Sequence, residues 1–235
     1  DDAVQDGDIA YNIVLAAAAS SDPNYSGRDA ADVSASNTDN DAAGITVTPT
    51  AGLVTTEGGG TASFTVQLNT QPTAVVVIPL ASSDVTEGTV TPVSLTFTPA
   101  NWNVAKTVTV TGVDDLTKDG DVAFTVVTRP VASTDPSYSG MDAADVSVTN
   151  LDNDTPSIVV TPVAGLVTTE TGGTASFTVK LGTQPSANVV IPIASSDVTE
   201  GTVVPASLTF TAADWNVAQT VMATGVDDQL QDGNI

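Results

Sequence analysis

The chain repeats itself at domain length. Ile45–Pro49 (ITVTP) returns 113 residues later as Ile158–Pro162 (IVVTP), and the same offset carries Trp102 onto Trp215, Asp114-Asp115 onto Asp227-Asp228, and Asp1-Asp2 onto Asp114-Asp115. The overlap needs no insertion or deletion, and roughly two thirds of the paired positions are identical. Such a period exceeds the roughly 20–50 residues of a solenoid unit and matches a whole domain. A tandem array of beads is therefore expected. The polar, turn-prone runs Asn37–Asp41 (NTDND) and Asn150–Asp154 (NLDND) read as linkers. They mark off the closing part of one repeat (1–41), one complete repeat (42–154) and the opening two thirds of another (155–235). The preferred reading of these bounds is a window on a longer repetitive polypeptide; the alternative is that 155–235 is completed by 1–41 of the next molecule in a head-to-tail filament.

Within the complete repeat, apolar residues alternate with polar ones. Ala62, Phe64, Val66 and Leu68 share one face, and Thr61, Ser63, Thr65 and Gln67 the other; Val108 and Val110 alternate with Thr107, Thr109 and Thr111. A period of two in β-branched residues, with no helical spacing anywhere, predicts an all-β unit. Seven strands are expected, at about 45–49 with 53–57, 61–68, 74–82, 93–99, 105–113, 122–129 and 145–150. Seven short strands in some 110 residues predict an immunoglobulin-like antiparallel β-sandwich without the disulfide. The five Phe residues (64, 97, 124, 177, 210) fall at inward positions.

Composition removes whole classes of chemistry. There is no Cys and no His, so thiol catalysis, His-based triads and zinc-finger or haem ligation are excluded. The formal charge of −23 opposes contact with a phosphate backbone, and no apolar run is long enough to span a membrane. Hydrophobic residues at 41% separate the chain from disordered acidic tails.

The acids are not scattered. If consecutive strands alternate in direction, the first, third and fifth connections and the end of the last strand share one pole. Glu57, Asp84, Glu87, Asp114, Asp115, Asp119, Asp121, Asp152 and Asp154 all lie there, nine of the twelve acids of the complete repeat. Asp135, Asp142 and Asp145 lie in or beside the sixth connection. Carboxylates about 6 Å apart repel by roughly 2–3 kcal/mol per pair at an effective dielectric near 20, and Lys118 is the one basic residue nearby. Acid-rich surfaces also serve solubility, but such acids belong on outward strand faces, which here carry Thr, Ser and Gln. Glu87 and Asp121 remain open to simple solvation, and Asp119-Gly120 to being a turn. Clustered carboxylates with Asn153 and backbone carbonyls form an all-oxygen set suited to a hard divalent cation, Ca2+ before any soft metal.

At these residues the chain resembles a Calx-beta-type repeat, a calcium-binding sandwich also found in bacterial surface proteins. The likeness is carried by Thr55-Thr56-Glu57-Gly58-Gly59, an Asp in the third connection, a paired Asp after the fifth strand and an acidic run closing the last. The resemblance implies ligand roles for Glu57, Asp84, Asp114, Asp115, Asp152 and Asp154, with Glu170, Asp197, Asp227 and Asp228 as their copies. Asn150–Asp154 is also similar to the cadherin linker, which places Asn153 among the candidates, as the copies of these motifs place Asp1, Asp2, Asp39 and Asp41. The Glu that follows the paired Asp in many family members is absent, and Asp119 stands nearby.

The expected function is an extracellular, calcium-stabilised structural repeat: a spacer or filament segment of a bacterial surface adhesin or matrix fibre. Its partners would be neighbouring repeats or head-to-tail copies of itself, and it is not expected to be an enzyme. The alternative is a carbohydrate-binding, lectin-like module presenting Trp102 and Tyr138 as an aromatic platform.

Overall fold

The computed structural model describes residues 2–227. These fall into two compact units. Unit 1 is Asp1–Thr55, Gly60–Gly112 and Ala123–Thr149; unit 2 is Thr56–Gly59, Val113–Val122 and Asn150–Ile235. Among the described residues no helix is long and apolar enough to cross a membrane.

The chain opens with a hairpin of β1 (Ile9–Ile13) and β2 (Val33–Asn37). The complete repeat follows with β3 (Ile45–Thr48), β4 (Leu53–Thr56), β5 (Thr61–Leu68), β6 (Val76–Ser82) and β7 (Gly88–Thr91). It continues through β8 (Ser94–Phe97), β9 (Lys106–Gly112), β10 (Val122–Thr128), β11 (Ala132–Ser133) and β12 (Val146–Leu151). One sheet has the order β3-β5-β9-β7; in the other, β11-β6-β10-β12-β4, β8 also pairs with β6. The antiparallel register sets Phe64 opposite Val108 and Ala62 opposite Val110, so apolar side chains meet on one face. That face closes over Val76, Ile78, Phe97, Phe124, Val126 and Val146 of the second sheet in one buried core. The result is an all-β, immunoglobulin-like sandwich, as the alternation of the sequence predicts.

One strand departs from the expectation. The run expected as a single strand at 93–99 is the second half of a broken one. Residues 88–91 pair with β9 in the first sheet, and 94–97 pair with β6 in the second. Pro92 lies between, where a residue without an N–H can let the chain change sheets. The first half escapes sequence reading because it opens on Gly88, which packs so closely on Phe124 that an added Cβ would sit 2.2 Å from the ring. The short β11, inside the expected sixth connection, also pairs with β6.

In unit 2 the following repeat comprises β13 (Ile158–Thr161), β14 (Thr174–Leu181), β15 (Val189–Pro192), β16 (Gly201–Val204), β17 (Ser207–Phe210) and β18 (Gln219–Gly225). A four-stranded sheet, β13-β14-β18-β16, reproduces the first sheet of the complete repeat, and among the described residues β15 pairs with β17 alone. Val179, Leu181, Leu208, Phe210 and Val221 form a smaller core, against which Phe177 is only half-buried. Four of the five Phe residues are buried, as their inward assignment implies.

Candidate metal centre

Within unit 2, the turn after β4, the loop between β9 and β10 and the segment after β12 carry seven of the nine polar acids, Glu57, Asp114, Asp115, Asp119, Asp121, Asp152 and Asp154, while Asp84 and Glu87 belong to unit 1. Strand β4 delivers Glu57 into a turn closed by Gly59 N–H on the Thr56 carbonyl (3.0 Å), while Glu57 N–H itself binds the Leu151 carbonyl (3.1 Å). That ladder bond draws the Glu57 side chain under the linker, where it is only 3% exposed. Asn153 N–H donates to Glu57 Oε2 (2.9 Å), and the Asn153 side-chain amide reaches Asp114 Oδ1 (3.4 Å). Asp152 folds the linker around itself: Asp154 N–H donates to its Oδ1 (2.7 Å), and Gly120 N–H and Lys118 Nζ to its Oδ2. Gly120 holds φ near +87°, which turns its N–H toward that carboxylate at no steric cost.

The trio Glu57, Asp152 and Asp154 each presents an oxygen within 4.8 Å of the others. Burial pushes the Glu57 carboxyl above its usual range; the Asn153 N–H works against this, and the charges of Asp152, Asp115 and Asp154 add to it. Burial likewise raises Asp154, helped by Asp152, Asp114 and Asp115. Asp152 goes the other way, held down by the Lys118 ammonium. Asp154 Oδ2 is buried with no hydrogen-bond partner. A buried, unpartnered carboxylate oxygen costs several kcal/mol of lost hydration, and it sits where two further carboxylates converge. This donor set, all oxygen and anionic, fits a hard cation of the calcium kind.

The other sequence candidates are placed as follows. Asp115 Oδ1 accepts from Thr117 N–H (2.6 Å), and Asp119 is exposed in the same loop. Asp121 Oδ1 accepts from Asp152 N–H (3.2 Å) and so braces the linker. Asp84 is not drawn into the trio; its Oδ1 caps its own turn through Thr86 N–H (3.0 Å) and hydroxyl (2.6 Å). Asp197 does the same with Thr199 (2.9 and 2.5 Å). Glu170 is exposed. Asp227 is exposed just after β18, and Asp1 and Asp228 lie outside the described residues.

The linker scaffold occurs twice. In unit 1, Gly7 N–H donates to Asp39 Oδ2 (2.7 Å), Asp41 N–H to Asp39 Oδ1 (2.8 Å) and Asp39 N–H to Asp8 Oδ1 (2.9 Å). These are the bonds of Gly120, Asp154, Asp152 and Asp121 at the 113-residue offset. Asp2, Asp6, Asp39 and Asp41 line a polar cleft of about 570 Å³ there.

Of the three remaining acids of the complete repeat, Asp142 is exposed and the other two serve structure. Asp135 Oδ2 accepts from Thr73 N–H (2.7 Å), and Asp145 Oδ1 from Thr128 N–H (2.8 Å). The aromatic platform is not formed: Tyr138 is 1% exposed and donates its hydroxyl to the Thr70 carbonyl (2.8 Å), while Trp102 is half-buried against the same core. Tyr138 closes the open end of the sandwich. That overturns the lectin-like use of Trp102 and Tyr138.

Lys118 and its loop have a second role. Gln184 N–H donates to the Leu116 carbonyl (2.7 Å), tying the loop to the turn after β14. At the 113-residue offset, Gln71 N–H donates to the Ala3 carbonyl (2.6 Å) in unit 1. Each such bond links the loop before β1 or β10 to the next repeat along the chain.

No family model matches the chain, and no curated protein matches it. Among solved structures, it is similar to CBD12 from CALX1.2, at 12% identity and a TM-score of 0.36, over 79% of this chain and 76% of that one. The apo-form Calx CBD1 domain aligns at 17% identity and a TM-score of 0.35, over 47% of this chain and 96% of that one. The periplasmic chaperone SfaE aligns at 11% identity and a TM-score of 0.35, over 72% and 83%. These matches accompany the β-sandwich architecture and assign no family.

Proposed function

We propose that the chain is a calcium-stabilised structural repeat whose bound ions stiffen the joint between successive beads. The observation that carries this reading is the buried, unpartnered Asp154 Oδ2 beside Glu57 and Asp152. Glu57, Asp152 and Asp154 would hold the ion, with Asp114 and Asp115 adding negative potential. The ion supplies positive charge that relieves the crowding. The linker carries two of the three ligands, and the neighbouring loop is bonded to Gln184 of the next repeat, so ion capture and hinge stiffness are coupled through one short segment.

Extracellular calcium modules bind with dissociation constants of about 10⁻⁴–10⁻³ M. At tenfold excess over that constant each ion adds about 1.4 kcal/mol to the folded state. Such affinities suit the outside of a cell, and we assign the chain to the bacterial surface as a spacer or fibre segment. The acid distribution supports a mechanical role: the strands are nearly charge-free, and the acids gather in the linker and the loops beside it. The test is the thermal midpoint with chelator and with millimolar calcium, paired with small-angle scattering. A higher midpoint and a longer, stiffer particle in calcium are expected. An unchanged midpoint and profile would remove the reading.

A further inference from the structure

We infer that the turn between β5 and β6, and its copy between β14 and β15, is a docking surface for the acidic loop of the preceding repeat, with Gln71 and Gln184 as its positioning residues. The donor is set within its own repeat. Gln71 Nε2 donates to the Pro99 carbonyl and Gln184 Nε2 to the Ala212 carbonyl, both at 2.8 Å. Each side chain thus ties its residue to a turn of the same repeat, and the backbone N–H of that residue makes the joint. It reaches the Ala3 carbonyl (2.6 Å) in unit 1 and the Leu116 carbonyl (2.7 Å) in unit 2.

The acceptor is set as well. Asp2 Oδ1 accepts from Val4 N–H (3.0 Å) and Asp115 Oδ1 from Thr117 N–H (2.6 Å), so a side-chain turn brackets the residue whose carbonyl is used. Donor and acceptor, each held by its own loop, lose little freedom on meeting. This gives Asp115 a task apart from ion capture: it presents the Leu116 carbonyl.

Comparing the two joints separates what is constant from what varies. In unit 1, Gln5 Oε1 also accepts from Ala43 N–H (2.7 Å). At the 113-residue offset Ala43 becomes Pro156, which has no N–H, and Gln5 becomes Lys118, whose ammonium binds Asp152 instead. The second joint adds a different contact, the Thr117 hydroxyl donating to Gln184 Oε1 (3.3 Å), where unit 1 has Val4. Accessory bonds are exchanged; the Gln bond and the side-chain turn stay. Every partner in this latch is a protein group, so it holds without an ion. Glu57, Asp152 and Asp154 would fix the linker to the repeat before it, and the latch fixes the loop to the repeat after it. Only the consequence that calcium stiffening passes onward through Gln184 rests on the proposed function above.

The experiment is amide hydrogen exchange by NMR on the intact chain, first in chelator. The Gln71 and Gln184 amides should be protected there. Gln184→Ala frees the residue from the Ala212 carbonyl and should speed exchange at position 184 about tenfold, with the amides of β14 and β18 unchanged. Asp115→Ala should do the same from the acceptor side, and Asp115→Asn, which keeps Oδ1, should restore protection. An unprotected Gln184 in chelator, or protection unmoved by both alanine variants, overturns the proposal. Should Gln184→Ala also loosen β14, the Asp115 pair decides: faster exchange in Ala with rescue in Asn upholds the latch, and no difference between them overturns it. In millimolar calcium, Gln184→Ala should bind the ion with wild-type affinity by calorimetry yet lose the stiffening in small-angle scattering. Stiffening retained in the variant overturns that consequence, whereas a wild type that never stiffens overturns the calcium reading and not the latch.

Discussion

Glu57→Gln separates charge repulsion from simple packing at the acidic pole. Glu57 is buried, and its nearest oxygens to Asp152 and Asp154 lie within 4.8 Å. At that separation and an effective dielectric near 20, one like-charged pair costs about 3 kcal/mol. Asp152 is largely answered by Lys118, so the uncompensated pair is Glu57 with Asp154. Gln keeps an oxygen that accepts the Asn153 N–H, so the linker contact survives. In chelator the variant should therefore be more stable than wild type by about 2–3 kcal/mol, moving the urea midpoint up by about 1 M. In millimolar calcium the order reverses or closes, because the variant has lost an anionic ligand and gains little from the ion. The assay is urea unfolding of the intact chain under both conditions. If Glu57→Gln lowers the midpoint equally with chelator and with calcium, the carboxylate is held for its hydrogen bond alone and the repulsion argument fails.

Three further outcomes follow from named contacts. Lys118→Met removes the half-exposed ammonium that answers Asp152; it should lower the denaturant midpoint in chelator and tighten calcium binding severalfold by calorimetry. Gly88→Ala drives a Cβ to 2.2 Å from Phe124 and should cost about 2 kcal/mol. Denaturant midpoints of the intact chain and the variant measure that loss. Asp214 is held below its ordinary value near 3.8 by the backbone N–H and then the hydroxyl of Thr211. A depressed carboxyl contributes above its unfolded pKa and is lost as pH falls through its folded one. The stability gap between wild type and Asp214→Asn should therefore be full at neutral pH and close in acid below that value; a gap constant with pH would contradict the assignment.

Much of this was legible in the residues. Alternation placed Phe64, Val66 and Leu68 inward because a pleated strand allows nothing else, and loop parity brought Glu57 together with Asp152 and Asp154 from opposite ends of the repeat. Burial of Asp154 Oδ2 was not legible, since it depends on how the linker wraps over Glu57. Nor was the turn that occupies Asp84: Thr86, two residues on, offers both an N–H and a hydroxyl, and such local bonds compete with any shared site. Tyr138 reads from sequence as a plug ahead of a platform, and its hydroxyl bond to the Thr70 carbonyl agrees with the plug.

The deepest limit lies in the segment Leu-Val-Thr-Thr, which occurs twice. At 53–56 it is strand β4, paired in the sheet that β12 belongs to; at 166–169 the same four residues form no such strand, and Leu166 and Val167 are exposed. Local propensity is identical in the two places, so the difference is the mate alone. A strand's identity in this chain is a property of the pair.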